Sequence, residues 1–148
     1  VGVHCLDSLR FVLDDEVTQV QSLLDPKPTS EKTESTAQML LQFSQGTMAS
    51  IFCSYESPVR ESYLDILGTE ARMTVADFTV GGRRASLKID RRAGNDLPDS
   101  TIEEIDVPNL YVEEVTLFSE CILNDVHPPL TALNALHNQR VLDAAMSS

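Results

Sequence analysis

Hydrophobic residues recur at two different spacings along the chain, and these spacings predict both helices and strands. Near the start, Leu6, Leu9 and Leu13 repeat at three- and four-residue steps, which predicts a helix over residues 3–13. Further along, hydrophobic and polar positions alternate, as is typical of strands with one buried face. The expected strands cover residues 16–24, 38–44, 47–55, 63–67, 72–76, 85–90 and 102–107.

Two more helices are predicted at the end of the chain, after a polar loop at residues 93–100. Asn109 can cap the first of them and Thr131 the second. The apolar side of the first is formed by Tyr111, Val115, Phe118 and Ile122. That of the second is formed by Leu133, Leu136, Val141, Ala144 and Ala145. The order of elements predicts a single α+β domain over residues 1–148, with a largely antiparallel open sheet and helices packed on one face.

The hairpin around Ser44-Gln45-Gly46 has an unusual return strand, residues 47–55, because neither of its faces carries a charge. Ala49, Ile51, Cys53 and Tyr55 alternate with Met48, Ser50, Phe52 and Ser54. A strand of this kind is usually covered on both sides. We therefore expect a helix on one face and a helix or a second subunit on the other.

Composition and charge exclude several classes of protein. With 148 residues and 42% hydrophobic content, the chain can bury a core. Its net charge of −12 repels phosphate backbones, so no nucleic-acid partner is expected. No apolar run approaches the length of a membrane span, and no signal peptide is recognised. The first residues run directly into a helical pattern, which suggests a piece of a longer protein.

The cysteines and the basic residues each allow a site without specifying one. Cys5, Cys53 and Cys121 are widely spaced, which indicates reduced, mostly buried thiols of a cytoplasmic protein. A metal site at residues 4–7 lacks further ligands at suitable spacing, so no metal is expected. The basic cluster at residues 83–92, beside Gly81-Gly82, is either a set of solvated strand residues or a phosphate-recognising loop.

Three histidines are the remaining candidates for acid–base chemistry. His127 precedes two prolines at a helix end, where a cap or surface role is expected. His137 lies in the last helix, facing solvent or packed at its edge. His4 begins a helix, where a side chain is often partly exposed near a cleft, and it can exchange a proton with a substrate hydroxyl.

Several segments together resemble a known family of oxidoreductases. These are residues 1–10, the hairpin at 41–49, the strand and glycine turn at 64–71, Tyr111, the prolines at 128–129 and residues 144–147. In this order they resemble the carboxy-terminal domain of the glucose-fructose oxidoreductase, inositol dehydrogenase and MocA (Gfo/Idh/MocA) family, whose fold is like that of the dihydrodipicolinate reductase carboxy-terminal domain. The likeness covers essentially the whole chain.

The resemblance implies a function that the residues alone do not establish. It implies an NAD(P)-dependent oxidoreductase that acts on a sugar, a polyol or a related carbinol. An amino-terminal Rossmann domain outside this chain would hold NAD or NADP, so this chain alone is expected to bind no cofactor and to be inactive. The family's catalytic histidine corresponds to His4, whereas its aspartate and lysine would lie outside these residues. The segment 55–63 would overhang the substrate, with Arg60 as a substrate contact or a plain surface residue.

The same resemblance implies association into a homodimer, or a dimer of dimers, through the sheet. Two alternatives remain open. One is a ligand-sensing or assembly module that has kept the fold and lost the chemistry. The other is an unrelated α+β binding domain, which a different strand order would favour.

Overall fold

The fold is described from a computed structural model, covering residues 2–59, 61–79, 81–92 and 99–148. Three helices and seven strands follow one another in the predicted order. They are α1 (Gly2–Leu13), β1 (Val17–Asp25), β2 (Thr36–Phe43), β3 (Met48–Ser54), β4 (Tyr63–Leu67), β5 (Ala71–Ala76), β6 (Arg84–Arg91), β7 (Asp99–Asp106), α2 (Leu110–Leu123) and α3 (Ala132–Ser147).

All strand pairs in the described residues are antiparallel, and the α+β class is confirmed. The expectation of one open sheet is corrected, because the strands form a three-stranded sheet, β1-β2-β3, and a four-stranded sheet, β4-β5-β6-β7. Short turns join β2 to β3 and β4 to β5. Between β3 and β4 the chain instead passes through Pro58, which has no N–H to donate to a strand ladder.

The chain divides into two compact units. Unit one comprises Val1–Pro58 and Pro129–Ser148, and it contains α1, the three-stranded sheet and α3. Unit two comprises Val59–Pro128 and contains the four-stranded sheet and α2.

The core of unit one lies between the two helices and one face of the three-stranded sheet. Alternate residues of β2 and β3 are buried there, and Leu6 of α1 and Ala145 of α3 complete the cluster. The buried strand residues are Met39, Leu41, Phe43 and Ile51. Helix α1 contacts β3 and α3, and α3 contacts β1. The period-two pattern of the central hairpin therefore builds this core, as the sequence predicted.

The turn of the central hairpin also forms as predicted. Gly46 has a φ of 92°, a conformation that glycine adopts without the steric cost of a Cβ atom. The Gly46 N–H donates to the Phe43 carbonyl at 3.0 Å, and the Phe43 N–H donates to the Thr47 carbonyl at 2.8 Å. These bonds fix the register in which Met39 lies opposite Ile51.

The opposite face of the same sheet, which we call the outer face, is exposed and carries a charge at its edge, where Asp25 lies opposite Thr36. Its exposed apolar side chains are Leu23, Leu40, Met48 and Phe52. They alternate with Gln19, Gln21, Gln38, Gln42 and Ser50, which occupy the same side of the ladder. The structure thus assigns Phe52 to the outer face, away from the helix-covered core.

The sheet of unit two has one apolar and one charged face. Half-buried Leu64, Ile66, Val75, Leu87 and Ile89 share the apolar face. The other face carries the ion pairs Arg72–Asp65, Arg84–Asp106 and Lys88–Asp90 at 2.7 to 2.8 Å. Strand β7 starts at Asp99, so the last two residues of the loop predicted at 93–100 belong to the strand. Residues 93–98 of that loop lie outside the described residues.

Both carboxy-terminal helices start where predicted, but their buried sides differ from the predicted ones. The Asn109 side chain accepts hydrogen bonds from the backbone N–H groups of Tyr111 and Val112, at 3.1 and 3.4 Å. Thr131 occupies the cap position of α3 without a side-chain cap bond. The predicted apolar stripe of α2 is exposed, and Cys121 is the residue this helix buries.

Helix α3 buries a stripe that is partly polar. Asn138 and Ala145 are buried, and Asn134 and Val141 are half-buried on the same side. The predicted apolar residues Leu133 and Leu136 are exposed. The partners of the two asparagines, described below, explain this difference.

Candidate active site

His4 lies in the first turn of α1, where its side chain is exposed. Within the described residues it makes no hydrogen bond and no ion pair. Its ring is therefore placed by the helix backbone and has both nitrogens free for a ligand.

A shallow, open depression of about 60 Å³ lies beside this end of α1. It forms where β2 begins and β3 ends, since Thr36 pairs with Ser54 in the ladder. It is lined by Gly2, Glu34, Ser35, Thr36, Ala37, Cys53, Ser54 and Tyr55. Gly2 has room for a small side chain, since the neighbouring atoms lie at ordinary contact distance. A Cβ atom there would lie 3.5 Å from Cys53 Sγ and from Met39 Cε.

The polar groups of the depression suit a hydroxylated ligand. The Thr36 and Ser54 hydroxyls hydrogen-bond each other at 2.7 Å, and each hydroxyl oxygen has further bonding capacity. Tyr55 is exposed at the rim, and Glu34 adds a carboxylate. Hydroxyl donors and acceptors beside an aromatic ring are the kinds of group that orient a small polar molecule in a pocket.

The thiols of Cys5 and Cys53 are both shifted toward the protonated form. Burial raises the pKa of the Cys5 thiol above its ordinary value. Burial likewise raises the pKa of Cys53, and the neighbouring Cys5 raises it further. Because the thiolate is the reactive form, these shifts suppress thiol chemistry beside the depression.

A buried polar network connects α1 to the start of β1 and to α3. Arg10 is only 6% exposed. Its Nε and NH2 groups donate to the two carboxylate oxygens of Glu16 at 2.9 and 2.7 Å, and NH1 donates to Asn138 Oδ1 at 2.7 Å. Asp7 accepts from Asn138 Nδ2 at 2.6 Å and from Asn134 Nδ2 at 3.2 Å. We call Asp7, Arg10, Glu16, Asn134 and Asn138 the Arg10 network.

This network was not predicted from the sequence, because the prediction for the first helix used only its leucine repeat. A signal for it was present. Arg10 follows the fully buried Leu6 by four residues, so both lie on one side of α1. The Arg10 hydrogen bonds also hold the pKa of Glu16 below its ordinary value, with a smaller contribution from His137.

The other two histidines have different surroundings from His4. His127 is exposed and belongs to unit two. His137 Nδ1 lies 3.1 Å from Glu16 Oε1 and 3.4 Å from Arg10 NH2, at the edge of the Arg10 network. The structure therefore brings His137, and not His4, into contact with other charged groups.

The remaining predicted site residues divide into two groups. Arg60 lies outside the described residues. Of the basic cluster, Arg84 and Lys88 each pair with an aspartate. The adjoining glycine turn is closed, since the Gly82 N–H donates to the Val107 and Pro108 carbonyls at 2.8 and 3.2 Å. The Gly82 N–H is therefore not free to bind a phosphate, which favours solvated strand residues over a phosphate loop.

Two further site types were tested over residues 2–59, 61–79, 81–92 and 99–148. No cluster of three or more histidine, cysteine or acidic residues there is arranged to hold a metal ion. None of the helices among these residues combines the length and the apolar character needed to cross a membrane.

A nicotinamide dinucleotide also finds no fitting site in the described residues. Such cofactors bind where a parallel strand leads through a glycine-rich loop into a helix. The strands described here pair only antiparallel, so that unit is not formed by them.

Three helices and two antiparallel sheets in the described residues define an α+β domain. The family model described as "GFO/IDH/MocA C-terminal domain" matches residues 1–74. The chain belongs to the Gfo/Idh/MocA family. A search of curated proteins gives no match.

Solved structures share the fold over the whole chain. One is described as an NADPH-dependent oxidoreductase from Desulfitobacterium hafniense, with a TM-score of 0.85 and 24% identity over 100% of this chain. Another is the aldose-aldose oxidoreductase from Caulobacter crescentus, in complex with glycerol (0.75, 18%, 99% of this chain). A third is KijD10, a 3-ketoreductase from Actinomadura kijaniata in complex with NADP (0.79, 16%, 99%). The chain spans 44 to 45% of the length of these three proteins.

Proposed function

We propose that this chain is the carboxy-terminal, substrate-facing and oligomerising domain of an NAD(P)-dependent oxidoreductase that acts on a sugar, a polyol or a related carbinol. Family membership over residues 1–74 supports the proposal. The observation that carries it is the exposed His4, two residues after the glycine that lines a hydroxyl-rich depression. The glycerol and NADP complexes of structural neighbours agree with a polyhydroxylated substrate and a nicotinamide cofactor.

The cofactor would be held by an amino-terminal Rossmann domain outside this chain, because the described residues offer no phosphate-binding turn. When bound, it would exchange a hydride with the carbinol carbon of the substrate. On this proposal the 148 residues alone form one carboxy-terminal domain, bind neither NAD nor NADP and are inactive. The three free cysteines are in keeping with a cytoplasmic protein.

His4 would move the hydroxyl proton of the substrate as the carbinol carbon is oxidised or the carbonyl reduced. A histidine exchanges protons near neutral pH, which suits this role. Thr36, Ser54 and Tyr55 would orient neighbouring hydroxyls of the substrate in the depression. Arg60 would contact the substrate from the segment 55–63, which continues from Tyr55.

The test is substitution of His4 in the complete oxidoreductase. His4→Ala and His4→Gln should lower turnover about 10²- to 10⁴-fold, the usual contribution of a general acid–base residue. Cofactor affinity should stay unchanged, because the ring would contact the substrate. His127→Gln, at an exposed histidine of unit two, is the matched control and should retain full activity. Near-normal turnover of both His4 variants would contradict the proposal.

Association through the outer face of the three-stranded sheet is part of the same proposal, as a homodimer or a dimer of dimers. Its exposed apolar side chains, including Phe52 at 65% and Met48 at 82% exposure, alternate with uncharged glutamine and serine side chains. Monomeric proteins rarely expose contiguous apolar patches larger than a few hundred Å². A twofold, face-to-face contact would cover both copies of the patch.

Phe52→Asp tests this association, since two-fold symmetry would place the new charge in the interface twice. We expect the variant to remain folded by circular dichroism and to elute as a 16.3 kDa monomer in light scattering. Gln139→Asp, on an exposed position of α3, is the control and should leave the dimer intact. A monomeric wild-type chain at high concentration would refute the association.

The outer face also favours a second candidate function, an assembly or ligand-sensing module without catalysis. Such a module needs the apolar surface and the depression, but not His4. The His4 variants separate the two functions, because a module would keep its ligand affinity and its oligomeric state in both.

A further inference from the structure

In the Arg10 network, hydrogen bonds join α1 and α3 at positions where two helices ordinarily make apolar contacts. Arg10 and Asn138 are the two polar residues among the described ones that are fully buried. Every buried side-chain nitrogen and oxygen atom in the described residues has a hydrogen-bond partner. The buried atoms of the network are therefore all paired, whereas the carboxylates of Asp7 and Glu16 are 42% and 52% exposed.

Stability alone does not account for this arrangement. A buried ion pair often contributes no more than apolar side chains of the same volume. What hydrogen bonds add is a unique geometry, since they hold only at one rotation and one axial position of the helix. Asp7 accepts from Asn134 and Asn138, which are one turn apart on α3, while Arg10 reaches Asn138 and the start of β1. Rotating α1 would break these bonds together.

The same helix carries His4. His4, Asp7 and Arg10 follow one another at three-residue steps, so they lie along neighbouring turns of α1. His4 has no partner of its own among the described residues. Its position consequently depends on how the two later residues fix the helix.

We propose that the Arg10 network is a positioning device that sets the rotation and axial position of α1 and thereby places the His4 ring. This inference rests on the proposed catalytic role of His4 for its effect on turnover. A displacement of about 1 Å at a reacting group can lower turnover about 100-fold, even when the substituted residue lies far from the chemistry. Asp7, Arg10 and Asn138 are thus positioning residues, without contact to the substrate.

A charge exchange across the network tests the proposal. Asn138→Asp places a second carboxylate 2.6 Å from the Asp7 oxygen, which should repel α1 from its position. The double variant Asp7→Asn with Asn138→Asp restores a hydrogen-bonded amide–carboxylate pair in the reverse sense, with the carboxylate now beside Arg10. Ala135→Asp adds the same charge on the exposed side of α3 and is the matched control.

Two measurements are made on each variant. In the 148-residue chain, the ring signals of His4 are followed by NMR and assigned by their loss in His4→Gln. In the complete oxidoreductase, kcat and KM are measured together with the melting temperature. We expect Asn138→Asp to shift or broaden the His4 signals and to lower kcat about 10- to 100-fold at nearly constant KM. The double variant should recover both to within about threefold of wild type, and Ala135→Asp should change neither.

The outcomes separate this proposal from the proposed function. Unchanged His4 signals in Asn138→Asp, or no recovery in the double variant, would overturn the positioning role. If His4→Gln leaves kcat unchanged while the His4 signals respond as expected, the catalytic role of His4 fails and the positioning of α1 stands. If Asn138→Asp does not fold, the isosteric Asp7→Asn replaces it. We then expect smaller changes in the His4 signals and in kcat.

Discussion

Leu6→Ala should destabilise unit one by about 3 kcal/mol, since it empties the centre of the core. Leu6 is 0% exposed and packs in one cluster with Met39, Phe43 and Ile51. The substitution removes three carbon atoms, which at about 0.8 kcal/mol each gives a transfer loss of about 2.4 kcal/mol. The unfilled cavity adds to this, and measured Leu→Ala losses at buried sites lie at about 2.7 to 5 kcal/mol.

The assay is urea titration with hydrogen exchange of the β2 amide groups, which report the core of unit one. The control is Phe11→Ala on the same helix, where the side chain is 80% exposed. It should change stability by no more than about 0.5 kcal/mol, as is usual for surface sites. A loss below about 1 kcal/mol for Leu6→Ala, or an equal loss for the control, would refute the assignment of the core to this face of α1.

Two further predictions concern titrating groups. The pKa of Glu16 is lowered by its hydrogen bonds to Arg10, so its contribution to stability is present above the ordinary value of 4.5 and is lost as the pH falls through the lower, folded value. The urea midpoint of wild type should therefore fall more steeply below pH 4.5 than that of Glu16→Gln, and parallel curves would contradict this. Since burial raises the pKa of Cys5 and Cys53, both should react with iodoacetamide more slowly at pH 8 than in the urea-unfolded chain, as peptide mass spectrometry would measure.

The α+β class, the order of the elements and the central hairpin followed from the sequence because local patterns determine them. Alternation along residues 38–55 identifies a hairpin, and a glycine with positive φ closes it at Gly46. The division into two sheets did not follow. The division depends on which strands pair with each other. The sequence of two consecutive strands, such as β3 and β4, does not show whether they hydrogen-bond to each other.

The outer face shows how far a pattern alone can decide a structure. Both faces of β3 are uncharged in the sequence, so the pattern predicted two covered faces without saying which one the helices cover. The register resolves this, because Ile51 lies opposite Met39 in the core and Phe52 lies opposite Gln38 outside it. A charge at Phe52 therefore tests association without disturbing the core.

The Arg10 network was missed for a different reason, since only the apolar positions of the helices were used to predict their buried sides. The spacing of the polar residues in the network, and not their polarity, shows which side of the helix they occupy. Arg10 follows Leu6 by four residues on α1, and Asn134 and Asn138 precede Val141 and Ala145 at the steps that keep one side of α3. The buried side of each helix thus includes polar residues. Those of α1 hydrogen-bond to those of α3. Because an unpaired buried arginine is expensive, such matched polar residues indicate two helices that pack against each other at those residues. In this chain that packing is what places the helix of His4.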